Sequence, residues 1–188
     1  MNCAVAGGVR PAQRLAVIDF SLPSSKQRFW IFDLERRKLL IEDHVAHGRG
    51  SGDEMATQFS NDMGSRQSSL GLFRTAETYY GSNGYSLRLR GLDAGFNDNA
   101  LARAIVMHGA PYVSQAIAER LGRLGRSWGC PAVRQEVARG VIDTLKGGAL
   151  LFAYYPDSKW LKESPLLSCG GQRPGQVMAS LASPSPRG

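Results

Sequence analysis

Long apolar runs are missing from this chain. The longest uncharged apolar stretch, Ala149 to Tyr155, is far shorter than the ~18 residues of a membrane-crossing helix, so no membrane span is expected. Cysteine is scarce: Cys3, Cys130 and Cys169 are an odd set without short-range pairing, which is not a disulfide framework. Blocks of one charge are also missing, since no basic run exceeds Arg36-Arg37-Lys38. A net charge of +7 and a pI near 9.7 favour anionic partners such as nucleic acid, a membrane surface or a cell-wall polymer, or simply reflect scattered basic residues; being dispersed, those residues give no nucleic-acid site. Metal-ligand spacing is nearly absent. Only His44-Val45-Ala46-His47 comes close, and strand residues three apart point to opposite faces, so neither a metal nor a cofactor is expected. The N-terminus has no charged start followed by a long apolar segment, so no signal peptide is read in it. There are no internal repeats.

What the chain does have is an ordinary globular balance over 188 residues, 43% hydrophobic and 21% charged, with 22 glycines. That length suits one domain, and that many turn-forming residues favour a β-rich fold. Residues 1–14 read as a lead-in. Strands are expected at Leu15–Phe20, Arg28–Leu34, Lys38–Ala46, Leu70–Thr75, Tyr85–Arg90, Ala104–Met107 and Ala149–Tyr155. Helices are expected from Val113 to Leu121, with Ser114 as cap, and from Arg134 to Lys146. In the second helix Val137, Val141, Ile142 and Leu145 form an apolar stripe that Gly147-Gly148 ends. A loop as long as His47 to Ser69 is uncommon in a compact domain and is usually either functional or mobile. Residues 164–188 hold 13 Ser, Pro or Gly in 25 positions and read as a flexible tail.

Two segments carry chemistry. In Ser127-Trp128-Gly129-Cys130-Pro131-Ala132-Val133 the cysteine precedes the expected second helix. The helix dipole and free N–H groups would there lower a thiol's pKa. Gly129 would allow close backbone approach, and the Gly129 and Cys130 N–H groups could face a developing oxyanion. The alternative is a buried cysteine acting as an apolar filler. In Ile105-Val106-Met107-His108-Gly109 a strand pattern ends in histidine, a placement for a general acid or base, or for a hydrogen-bonded structural histidine. A Cys–His pair would activate a thiol for acyl transfer.

These two segments resemble the His-Gly and Ser-x-Gly-Cys signature of the L,D-transpeptidase (YkuD-like) catalytic domain. Ser68-Ser69-Leu70-Gly71-Leu72-Phe73 is similar to that family's Thr-Pro-x-Gly-x-Phe strand opening. Gly125-Arg126-Ser127-Trp128-Gly129-Cys130-Pro131-Ala132-Val133 resembles the murein subgroup, as do Val45-Ala46-His47-Gly48, Gly64 through Gly71 and Asn97-Asp98-Asn99-Ala100. The likeness runs from Leu15 to Tyr155. It implies a mainly β chain with two or more helices, a mixed β-sandwich in a single domain spanning 15–163. It further implies a cysteine-dependent acyltransferase acting on peptidoglycan stem peptides. By that resemblance Cys130 is the nucleophile, His108 the base and acid, and the Gly109 carbonyl the group that orients the imidazole. Trp128, Gly129 and Cys130 would supply the oxyanion N–H groups, with Ser127, Arg126, Arg134, Tyr80 and Ser69 touching substrate.

The family's usual Arg or Asn two residues after the cysteine is Ala132 here. The substrate carboxylate therefore has Arg126, Arg134, Arg88 and Arg90 as candidates, and Tyr79 and Tyr80 are candidates for peptide stacking. The expected protein is a monomer, periplasmic or wall-associated, whose Cys130 a carbapenem would acylate. Hydrolysis instead of transfer, or an inert wall-binding module, remain the competing expectations.

Overall fold

Alternating apolar and polar residues become one mixed sheet in a computed structural model of the chain, which describes residues 2–6 and 8–167. Among these residues nine strands are hydrogen-bonded in the order β3-β2-β1-β9-β5-β6-β7-β8-β4. They are β1 (Arg14–Asp19), β2 (Phe29–Asp33), β3 (Lys38–Asp43), β4 (Val45–Ala46), β5 (Gly71–Gly81), β6 (Gly84–Gly91), β7 (Val106–Ala110), β8 (Ala132–Arg134) and β9 (Leu150–Tyr154). The pairs β1–β9 and β7–β8 are parallel, and the remaining neighbours are antiparallel. This is the mainly β, mixed-strand fold class expected for the chain. No helix among the described residues is long and apolar enough to cross a membrane.

Residues 12–155 form one compact unit, and the described residues among 2–11 and 156–167 belong to a second. The described part of the second contains two short helices, α1 (Asn2–Ala6) and α4 (Ser158–Glu163), neither anticipated from the sequence. In α4 the Asp157 carboxylate caps the Trp160 N–H at 2.7 Å. Cys3 is disulfide-bonded. Of the expected tail, residues 168–188 lie outside the described residues.

The helix α2 (Gln115–Leu121) starts where Ser114 accepts the Ile117 N–H at 3.3 Å and stops at Gly122 in the left-handed region. The helix α3 (Gln135–Leu145) buries Ala138, Val141, Ile142 and Leu145, the expected stripe shifted by one residue at its start, with Val137 only half-buried. The expected long third strand is split at His44: β3 continues the hairpin with β2, while β4 leaves it to pair with β8.

Strand register assigns residues to faces. Met107 and Gly109 of β7 share a face with Leu87 of β6, and α3 packs on that face. A Cβ on Gly109 would come 2.7 Å from the Ala138 Cβ. Side chains alternate along a strand, so His108 looks to the other face, with Ser86, its direct partner on β6.

Candidate active site

β7 and β8 run parallel with His108 opposite Ala132. Continuing that register two residues back sets Cys130 level with Val106, and the Val106 N–H indeed lies 3.5 Å from the Cys130 Sγ. The thiol in turn points at the Ala104 carbonyl, 3.7 Å away. Cysteine and histidine are thus two strand residues apart on one face, about 7 Å of backbone. His108 stands inside β7 rather than at its end as expected. Ala104, at φ 55°, turns the chain before the strand starts. Gly109 continues the strand because only a residue without a Cβ fits against α3.

His108 is 4% exposed, and its Nδ1 lies 2.9 Å from the Gly109 carbonyl. A carbonyl only accepts, so Nδ1 carries the proton and Nε2 is the acceptor. Burial pushes the His108 pKa down, partly offset by the Gly109 carbonyl, which favours a neutral ring at pH 7. Burial pushes the thiol of half-buried Cys130 up, against the opposing pull of the Val106 N–H and the positive charge of Arg103. The sequence-based expectation of a lowered thiol pKa at a helix N-terminus is corrected here. β8 intervenes, and α3 begins only at Gln135, so no helix dipole is aimed at the sulfur. Both shifts favour the uncharged forms, a thiol on Cys130 and a neutral imidazole on His108.

The loop bearing the cysteine is held from within. Ser127 Oγ donates to the Cys130 carbonyl at 2.6 Å and accepts the Gly129 N–H at 3.1 Å. Gly129, at φ 123°, has no room for a side chain, since a Cβ would lie 2.8 Å from the Gln67 carbonyl. Its N–H, expected to face an oxyanion, is taken by Ser127. The N–H groups of Trp128 and Cys130 meet no acceptor among the described residues. Trp128 itself is 70% exposed, with the Arg66 guanidinium 5.0 Å from its ring centroid.

Several residues expected to touch substrate are committed elsewhere. Ser127 and Ser69 are buried, and the Ser69 hydroxyl donates to Ser60 and accepts from Arg103. Arg126 reaches the Asp53 carboxylate at 2.6 Å and the Gly52 carbonyl at 3.0 Å. Arg134 forks onto both oxygens of buried Asp43 at 2.7 and 2.8 Å. Arg88 pairs with Glu77 at 3.0 Å and lies over the Tyr79 ring. Arg90 is exposed on β6.

Tyr80 is on the wrong face. A bulge between Thr75 and Thr78 reverses the alternation of β5. Tyr80 therefore joins Tyr85 and Arg139 on the α3 side, while Tyr79 pairs with Ser86 in the row of His108.

Two residues near the sulfur carried no sequence signal. Arg103 donates to Ser60, Ser65, Gln67 and Ser69, tying the loop 47–69 against Gly129, and its charge acts on Cys130. Tyr112 has its hydroxyl pushed up to about 12 by burial and by the nearby Cys130. Behind the loop, fully buried Arg28 donates to the Val45 and Leu22 carbonyls and contacts His47 Nδ1 at 2.7 Å. Burial and the Arg28 charge hold the His47 pKa down at about 4. Its carbonyl receives the Ser127 N–H, so this pair supports the cysteine loop. Among the described residues no three His, Cys, Asp or Glu side chains are grouped to hold a metal ion.

Solved structures similar to this chain include an L,D-transpeptidase from Mycobacterium smegmatis, at 14% identity over 77% of this chain and 59% of that one, with a TM-score of 0.46. L,D-transpeptidase 3 from Mycobacterium tuberculosis is similar at 12% identity over 76% and 61%, with a TM-score of 0.45. The helical cell shape determining protein Pgp2 from Campylobacter jejuni is similar at 12% identity over 74% and 46%, with a TM-score of 0.47. The chain spans about half to three-fifths of these proteins. No curated protein matches it. The sequence profile of the L,D-transpeptidase catalytic domain matches residues 2–154, and the chain belongs to that family.

Proposed function

We propose that this domain is a cysteine-dependent L,D-transpeptidase joining peptidoglycan stem peptides through a thioester on Cys130. The supporting observation is the His108 tautomer: with Nδ1–H given to the Gly109 carbonyl, Nε2 is left as the base on the face where the Val106 N–H meets the Cys130 sulfur. Because the resting thiol is protonated, His108 acts as a general base and not as half of a preformed ion pair.

Nε2 takes the Cys130 proton as the sulfur attacks the donor carbonyl at the L-centre of diaminopimelate. The oxyanion is received by the N–H groups of Trp128 and Cys130, since Ser127 occupies that of Gly129. The imidazolium returns its proton to the departing amine of the terminal D-residue, leaving a thioester. The amine of a second stem then attacks. His108 takes a proton from it, the carbon–sulfur bond breaks, and Cys130 leaves protonated. The Arg103-bound loop 47–69 walls the cleft and disfavours water as the acceptor.

The cross-link joins two diaminopimelates or runs to the first residue of the acceptor stem. The protein works in the periplasm or at the wall, where a net charge of +7 suits an anionic polymer. The same thiol is where a carbapenem would form its acyl adduct. Incubation with purified muropeptides and mass analysis of the products tests the reading. Cross-linked dimers that disappear in Cys130→Ala support it. Trimmed stems alone would make the domain a carboxypeptidase, and unchanged muropeptides would defeat the enzymatic reading.

A further inference from the structure

A donor stem brings a carboxylate close to its scissile bond, because the α-carboxylate of the leaving residue is only two bonds from the amide nitrogen. A cation must meet it near the sulfur without being consumed by the fold. Arg103 is the cation nearest the sulfur by its effect, but its terminal nitrogens already serve Ser60, Ser65, Gln67 and Ser69. Arg126, Arg134 and Arg88 answer Asp53, Asp43 and Glu77.

Arg66 differs from all of these. Its side chain is exposed and its guanidinium has no hydrogen bond or ion pair among the described residues, yet it is held in place 5.0 Å above the Trp128 ring. Stacking leaves the N–H edges of a guanidinium free to grip a carboxylate in a fork. The backbone beneath it is fixed as well. Arg66 sits at φ 56°, in the left-handed region, and its carbonyl accepts the Gly50 N–H at 2.9 Å. Gly48 is wedged between the two segments: a Cβ there would collide with the Arg66 carbonyl and come 2.7 Å from the Gly129 Cα. Arg66 and the residue before the nucleophile are therefore parts of one packed unit. Trp128, adjacent to Gly129-Cys130 and 70% exposed, carries the stacking face.

From this geometry we infer that Arg66, stacked on Trp128, is the residue that binds the carboxylate of the donor stem, an assignment that rests on the proposed transpeptidase reading. The ligand is a peptide carboxylate. Its source is the terminal D-residue or the free carboxylate on the diaminopimelate side chain.

The test uses the full chain with Cys130→Ala, so that binding is read without turnover, and a synthetic tetrapeptide stem titrated by calorimetry. Arg66→Ala should weaken binding about tenfold, the loss of one charge-assisted hydrogen-bonded pair. Arg66→Gly, whose backbone accepts a positive φ freely, should lose as much, which separates the guanidinium from the fold. Amidating the terminal carboxylate should bring the Arg66 protein down to the Arg66→Ala level and leave Arg66→Ala unchanged. If amidation of the side-chain carboxylate does this instead, that group is the source. In the Cys130 enzyme the same variants should raise KM and spare kcat. Arg49 is also exposed, but nothing among the described residues fixes its side chain, and Arg49→Ala should bind normally. Tight binding indifferent to Arg66, or lost in Arg49→Ala instead, overturns the inference alone. A tetrapeptide that binds none of these proteins overturns the transpeptidase reading together with it.

Discussion

Gly109→Ala tests the placement of the histidine on its strand. The new Cβ would stand 2.7 Å from the Ala138 Cβ, 3.1 Å from Gln135 Oε1 and 3.3 Å from the Gln135 Cα. Carbon atoms pack best about 3.5–4.0 Å apart, so the overlap with Ala138 is about 1 Å. Ala138 is 6% exposed on α3 and has no flexible tip to swing away. Either α3 or β7 must shift, at a cost of about 1–3 kcal/mol, which for a domain of this size lowers Tm by about 3–10 °C. Because the Gly109 carbonyl also holds His108 Nδ1, a shifted β7 would lower activity too. Ala138→Gly restores the space while itself costing about 1 kcal/mol of helix propensity. The double variant should therefore be more stable than the sum of the two penalties by at least about 1 kcal/mol. Thermal and urea unfolding of the four proteins measures this coupling. Strictly additive penalties, or an unchanged Tm in Gly109→Ala, would refute the packing of α3 behind the histidine.

Arg134→Ala should lose about 1–3 kcal/mol, since it leaves the buried Asp43 carboxylate without its fork while Arg134 itself is partly exposed. KM should not change, and a KM effect without a stability loss would restore Arg134 as a substrate ligand. Acid should destabilise the fold through His47. Its folded pKa of about 4 lies below the unfolded value of 6.5, so the unfolded chain binds a proton first as pH falls through that window. About 3 kcal/mol is lost by pH 4. His47→Gln should flatten the urea midpoint between pH 7 and pH 4.5, and an equally steep wild type and variant would contradict it. The Cys130 thiol, raised by burial, should react with iodoacetamide at a rate still climbing above pH 9 in the free protein. A plateau by pH 7 would mean a preformed thiolate.

The parts of the fold legible in the sequence are those with local cause. The stripe of α3, the Ser114 cap and the doubled glycine after α3 follow from spacing and capping alone. The pairing of β4 with β8 does not, because both it and the Asp43–Arg134 fork join residues some ninety positions apart, which no local window contains. Which of Tyr79 and Tyr80 shares the row of His108 was not legible, since both lie past the expected strand end at Thr75 and beyond a bulge, and bulges have no reliable local signature. Cys130 and His108 stood out through their glycine-flanked motifs. Their protonation states did not, since a three-residue strand between cysteine and helix removed the dipole and burial reversed the sign. Arg103 and Tyr112 sit in segments without periodicity or motif, and only the folded chain brings them to the sulfur.

The measurement closest to the central claim is the intact mass of the protein during turnover of a tetrapeptide stem, followed by mapping of the modified residue. A tripeptidyl adduct on Cys130, absent in Cys130→Ala and formed far more slowly in His108→Ala, is the predicted result. An adduct on another residue, or stems joined by a protein lacking the Cys130 sulfur, would contradict it.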